Sequence, residues 1–196
     1  MTAAQADGAR VVLPADATPV PLALQHLPGL LAVQRACYDD VLVEGFDVFS
    51  RRLASPANCS LVLQYEGQVV AYLAAYQSQR GKVTPLHGDF NPVAAPGVCD
   101  TLYLHDMAVL PQMAGRGLAR ALVAPLWERA AAQGLHYTAL VSVQGSQAYW
   151  QRQGYAVQQL EEAAQREQLA SYGTGAVYMA RHLDHGAACK SLLTPA

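Results

Sequence analysis

The sequence predicts a mixed α/β domain, a central mixed sheet of about six to seven strands flanked by helices. Three observations carry this. The chain has 196 residues, of which 52% are hydrophobic and 14% charged, enough apolar material for one core and too little charge for disorder. Two Val-, Leu- and Tyr-rich runs, Cys59 to Tyr65 and Gln68 to Gln77, meet at Glu66-Gly67 and read as an antiparallel hairpin. A strand at Thr101 to Val109, a helix at Gly115 to Gln133 and a strand at Tyr137 to Val143 form a crossover, which implies parallel pairing.

The remaining elements follow in order. Val11 to Leu13 reads as a short strand, and Pro14, Asp16, Pro19 and Pro21 as a loop after it. Leu27, Leu30, Leu31 and Val33 recur at helical spacing within Leu22 to Tyr38, and a second helix is expected over Val48 to Ala54. Ser78 to Gly97, with Gly81, Pro85, Gly88, Asn91, Pro92, Pro96 and Gly97, reads as a long loop. Pro125 inside the central helix removes one backbone hydrogen bond and predicts a kink. Ser146 to Gln153 is expected as a short helix stopped by Gly154, and Tyr155 to Val157 and Ala176 to His182 as closing strands. No repeat or linker divides the chain, so residues 1–196 read as one domain with flexible tails at 1–9 and 184–196.

Composition excludes several classes of partner. A formal charge of −2 and a pI near 6.3 give no basic field for a phosphate backbone, so nucleic acid is not an expected partner. Cys37, Cys59, Cys99 and Cys189 form no C-x-x-C pair, which argues against a structural zinc site or a disulfide framework and for reduced thiols. His182, His185 and Cys189 lack a fourth ligand and read as a solvated tail, so no metal is expected. The first eight residues carry no basic or apolar signal region, and no run has the apolar length of a membrane span. A cytoplasmic monomer or homodimer is the expectation.

The most informative stretch is Gln112-Met113-Ala114-Gly115-Arg116-Gly117-Leu118-Ala119, between a strand and a long helix. A helix start leaves backbone N–H groups unpaired and concentrates partial positive charge, and glycines let an anion approach them. A P-loop would need G-x-x-x-x-G-K-[ST], which is absent, and a dinucleotide fingerprint would need a small residue in place of Arg120 and an acid roughly 20 residues on. What remains is Q-x-x-G-x-G, or a plain glycine-containing connection.

The flanks add to this reading. Leu102-Tyr103-Leu104-His105-Asp106-Met107-Ala108-Val109-Leu110-Pro111 followed by that turn resembles the core of the GCN5-related N-acetyltransferase (GNAT) superfamily. Tyr149-Trp150-Gln151-Arg152-Gln153-Gly154-Tyr155 resembles its second motif, and the LHxLAV-like run with the residues around Phe46 to Leu53 is most similar to the arylalkylamine N-acetyltransferase branch. The resemblance implies a GNAT-like sheet splayed between its fourth and fifth strands. It implies acetyl-CoA as acetyl donor, with the pyrophosphate on amides of Gln112, Met113, Ala114, Gly115, Arg116, Gly117, Leu118 and Ala119. The pantetheine arm would pair with the backbone of Met107, Ala108 and Val109, and Trp150 would lie beside the donor.

The resemblance also implies direct transfer of acetyl to an amine. An alkylammonium must lose a proton before attack, and His105 matches the base of the arylalkylamine branch, with an ordinary pKa near 6.5 that suits the task. Alternation along the strand puts Tyr103 on the face of His105, as pocket lining or water relay, and Asp106 on the opposite face. Trp150 stands where the superfamily often has the tyrosine that protonates the leaving thiolate. Tyr149 is rotated by about 100° from it on a helix, so the general acid stays open between Tyr149, other tyrosines and water.

Glu44 and Phe46, with the loop over 78–97, are expected to roof the acceptor pocket and suit a small hydrophobic amine; the plainer alternative makes Phe46 core and Glu44 solvated. Two other functions remain open from sequence: acetylation of a protein N-terminus or lysine, and a non-catalytic acyl-CoA-binding module.

Overall fold

The computed structural model describes residues 18–90 and 99–183. The expected strand over 11–13, the two tails, the 91–97 part of the long loop, and His185 and Cys189 lie outside them. Seven strands form one sheet: β1 (Val20–Pro21), β2 (Leu61–Tyr65), β3 (Gln68–Ser78), β4 (Thr101–Val109), β5 (Tyr137–Ser142), β6 (Ala156–Val157) and β7 (Val177–His182), in the order β1-β2-β3-β4-β5-β7-β6. Only β4 and β5 are parallel; the other neighbours are antiparallel. The expected mixed sheet is therefore observed, with the parallel pair where the crossover requires it.

Two layers of helix cover the sheet. On one face lie α1 (Leu27–Cys37) and α2 (Phe46–Leu53), whose Leu27, Leu30, Val33 and Phe49 pack with Tyr72, Ala74, Tyr76 and Tyr103. Gly29 permits this approach, because a Cβ there would come within 2.8 Å of the Val69 side chain. On the other face, α3 (Leu118–Ala132) buries Leu122, Val123 and Leu126 against Leu63, Leu73, Leu104 and Leu140. Fully burying one such leucine stabilises by roughly 1.5–3 kcal/mol, so the two faces rather than helix propensity hold these helices. Pro125 sits on the exposed side of α3, away from the buried Leu122, Val123 and Leu126.

The structure departs from expectation in three places. Val20–Pro21, expected as loop, is an edge strand paired with Leu61 and Val62, a position that tolerates proline. Beyond α4 (Gln147–Arg152), an unpredicted helix, α5 (Ala163–Ala170), buries no residue and so carries no periodic apolar signal. The third difference is a bulge. Ala75 pairs with Leu104 but Ala74 pairs with Asp106, leaving His105 as the extra residue. Alternation breaks there, and Asp106 lies on the same face as His105, against α1, not on the opposite one.

Candidate active site

The bulge coincides with a split in the sheet. Parallel pairing runs from Thr101↔Tyr137 to Leu104↔Leu140 and stops. Past that point β4 continues on β3 alone and β5 on β7 alone. The Leu110 N–H donates to the Val70 carbonyl at 2.9 Å, which fixes the alternation of the antiparallel pair. Ala108 therefore turns its amide toward β3, whereas Met107 and Val109 present theirs to the open side. Their carbonyls accept from Tyr38 Oη at 2.8 Å and Cys37 Sγ at 3.2 Å. Of the three residues expected to offer backbone along the donor, Met107 and Val109 turn their amides to the open edge, and Ala108 turns its amide to β3 because the register commits it there.

One end of this edge is the glycine-rich turn. Met113 and Leu118 are buried and anchor it, while Gln112, Ala114, Gly115 and Gly117 are exposed and Arg116 and Ala119 half-buried. Gly115 and Gly117 have φ of 75° and 79°, a region costly for other residues, and a Cβ on either would meet open space. Conformation, not crowding, requires glycine. The Ala121 N–H makes its helical bond to Gly117 at 3.0 Å, so the amides of Leu118, Ala119 and Arg120 precede the first intrahelical bond, and no acid stands in the first turn. This arrangement suits a diphosphate.

The opposite wall is built from side chains. Arg52 lies between Phe49 and Phe90, 5.4 and 5.0 Å from their ring centres, and makes a bidentate pair with Glu44. Both side chains are 2% exposed. Glu44 also accepts from the His87 N–H at 2.7 Å, and its Oε2 lies 3.2 Å from His105 Nε2. Gln34 links Glu44 to Asp106: its carbonyl accepts from the Glu44 N–H at 2.7 Å and its amide donates to Asp106 at 3.1 Å. Tyr72 Oη donates to Asp106 at 2.6 Å.

Burial opposes ionisation of Glu44, but His105 and Arg52 outweigh it and hold the carboxyl below the usual carboxylate range. An ionised Glu44 only accepts, which assigns the proton of a neutral His105 to Nε2 and leaves the Nδ1 lone pair toward Tyr172. Burial, reinforced by Arg52, lowers the His105 pKa, so the imidazole is neutral and able to take a proton near pH 7. Burial likewise raises Asp106.

A cavity of about 460 Å³ runs through the split. It is lined on one side by Tyr38, Leu42, Leu86, His105 and Tyr172, and on the other by Leu140, Ser146, Tyr149 and Trp150, with no lysine or arginine among the described residues. The structure thus brings together His105, Met107, Tyr149 and Trp150. Tyr103 shares the face of His105, with ring centres 6.3 Å apart, but is fully buried and outside the cavity lining. Glu44 reaches the cavity with its oxygens already committed, which corrects its expected part as a holder of ammonium. Phe46 is 45% exposed at the start of α2 and lines no part of the cavity. Sequence reasoning missed Arg52, Gln34 and Tyr172. Only Arg52 left a signal, its spacing of one helical turn from Phe49.

An open strand edge, a glycine-rich turn with free helix-start amides and a buried histidine beside a cavity are parts that an acyl-CoA transferase would need. The sequence pattern of the acetyltransferase (GNAT) family matches residues 27–155, and the chain belongs to that family. By that membership it is an acetyltransferase, though the match does not single out a branch. Among solved structures, the ribosomal-protein-S18-alanine N-acetyltransferase of Escherichia coli is similar at 17% identity, with a TM-score of 0.62 over 90% of this chain and 99% of that one. The loading GNATL domain of CurA from Lyngbya majuscula is similar at 14% identity, with a TM-score of 0.65 over 86% and 98%. N-acetylglutamate synthase of Neisseria gonorrhoeae, complexed with coenzyme A and N-acetyl-glutamate, is similar at 14% identity, with a TM-score of 0.62 over 85% and 35%. These likenesses concern the fold. No curated protein matches the chain in sequence.

Proposed function

We propose that this acetyltransferase moves acetyl from acetyl-CoA directly to the primary amine of a small, largely apolar molecule. The observation that carries the proposal is the cavity itself: a neutral, Glu44-backed His105 opens into a wall of Tyr38, Leu42, Leu86, Leu140, Tyr149, Trp150 and Tyr172, joined by Asp106, Gln144 and Ser146, with no lysine or arginine among the described residues. An acceptor bearing a carboxylate would be desolvated there without a partner, at a cost of several kcal/mol.

The residues divide the work. Amides from Gly115 to Ala119 hold the pyrophosphate, with Arg116 adding charge, and the Met107 and Val109 backbones pair with the pantetheine arm. His105 takes the proton that the ammonium must lose, and the freed amine attacks the thioester carbonyl. As the C–S bond breaks, Tyr149 or water gives a proton to sulfur, and the second proton that the nitrogen sheds on becoming an amide passes through water to restore that donor. Burial raises the Tyr149 pKa, so it is protonated at neutral pH, but a thiol near pKa 8.5 leaves readily and asks little of its acid.

The test is thiol release from acetyl-CoA with arylalkylamines, amino acids and peptides, alongside coenzyme A binding. Arylalkylamines should be preferred. Turnover of peptides alone would replace the small amine by a protein acceptor, and tight binding without turnover of any amine would make the chain a binding module.

A further inference from the structure

Both nitrogens of His105 are faced by the protein. Nε2 is held by Glu44, and Nδ1 lies 3.4 Å from the hydroxyl of Tyr172. The imidazole side chain is only 1% exposed. Tyr172, which follows α5, comes in from a different part of the chain; its ring centre is 6.3 Å from that of His105, and it forms part of the cavity wall. Its hydroxyl donates to the Thr84 carbonyl at 2.6 Å, which anchors the loop that supplies Leu86 to the same wall. Both residues line the cavity, and with the imidazole so little exposed the Tyr172 hydroxyl is the group that faces its Nδ1.

Resting on the reading of His105 as base, we propose that Tyr172 is a catalytic residue that relays the acceptor's proton to His105 Nδ1. One N–H proton of the ammonium passes to the phenolic oxygen as the phenolic proton, turned from Thr84 to Nδ1, passes to the imidazole. The amine keeps the electron pair of the broken N–H bond and attacks the thioester; Tyr172 ends neutral, and the positive charge resides on His105 against the Glu44 carboxylate. After transfer the proton returns by the same route to water. Tyr172 never ionises, which agrees with burial and the Glu44 charge raising its pKa well above the ordinary tyrosine value. Glu44, Arg52 and Asp106 are the charged groups around the pair and Tyr76 and Tyr103 the neighbouring phenols, and of these Glu44 alone hydrogen-bonds the imidazole.

The experiment is single-turnover acetyl transfer to a turned-over arylalkylamine by the full chain, in mixtures of H₂O and D₂O, for wild type, Tyr172→Phe and His105→Gln. The wild-type rate should bow against deuterium fraction, as two protons in flight require. Tyr172→Phe should melt and bind coenzyme A normally, yet transfer acetyl about 10²-fold more slowly with a linear dependence. A linear or absent isotope effect in wild type overturns the relay, as does a Tyr172→Phe rate within twofold of wild type while His105→Gln is slow. Should Tyr172→Phe fail to fold, the wild-type curvature decides alone. Full activity of His105→Gln would instead remove the base reading on which the relay rests.

Discussion

The two walls of the split are made of different material. The donor wall is backbone: the open edge of β4, two glycines at positive φ and the first amides of α3, all within residues 107–120. The acceptor wall is side chain: Gln34, Glu44, Arg52, His105 and Tyr172, gathered from two helices, a bulged strand and two connections. Backbone recognition tolerates change in side chains, whereas a buried polar network loses all its support when one member goes. The donor wall should bend under mutation and the acceptor wall should break.

Arg52→Met is the strongest test of that contrast. It leaves Glu44 buried without its cation, and a loss of about 3–5 kcal/mol is expected in urea unfolding. A loss under 1 kcal/mol would show that the network is not what holds this wall. His105→Gln comes next, with kcat expected to fall about 10²- to 10⁴-fold and coenzyme A affinity unchanged in calorimetry.

The donor wall responds less. Gly117→Val forces a β-branched residue to φ 79°, at about 1–2 kcal/mol, and should weaken coenzyme A binding roughly tenfold while kcat at saturating donor survives. Loss of kcat without loss of affinity would reverse the assignment of the two walls. Acid distinguishes them too. The folded pKa values of His105 and Glu44 both lie below their unfolded ones, so the unfolded chain binds more protons. The contribution of these two groups is present in full above about pH 6.5, declines below it as His105 resists charging, and declines further below about 4.3, with Asp106, raised by burial, opposing part of the acid loss. Urea midpoints measured across that range should lose the first decline in His105→Gln. The smallest effect belongs to Tyr149→Phe, below the ~10²-fold expected of an essential acid, because the thiolate leaves without much help.

Legibility in the sequence followed the same division. The strand over 101–109 was readable to its ends, and the hairpin turn at Glu66-Gly67 has both residues at positive φ as its composition implied. His105 was readable from its motif. Asp106 was misplaced because period two holds only while the ladder is regular, and nothing local announces the extra residue that the β3–β4 register creates. Tyr172 was invisible for a different reason: it follows a helix with no buried face, where apolar spacing gives no pattern.

By itself, then, the sequence determined what depends on near neighbours: alternation and helical spacing, a turn that needs glycines, and a strand-turn-helix whose free amides suit an anion. Only the tertiary structure decided that Glu44 serves Arg52 and His105 instead of an ammonium, that Phe46 stays outside the cavity and that Tyr172 faces Nδ1. The physical reason is that a buried charge must find its partner wherever the packed chain brings one, and that distance in space is not written in distance along the chain.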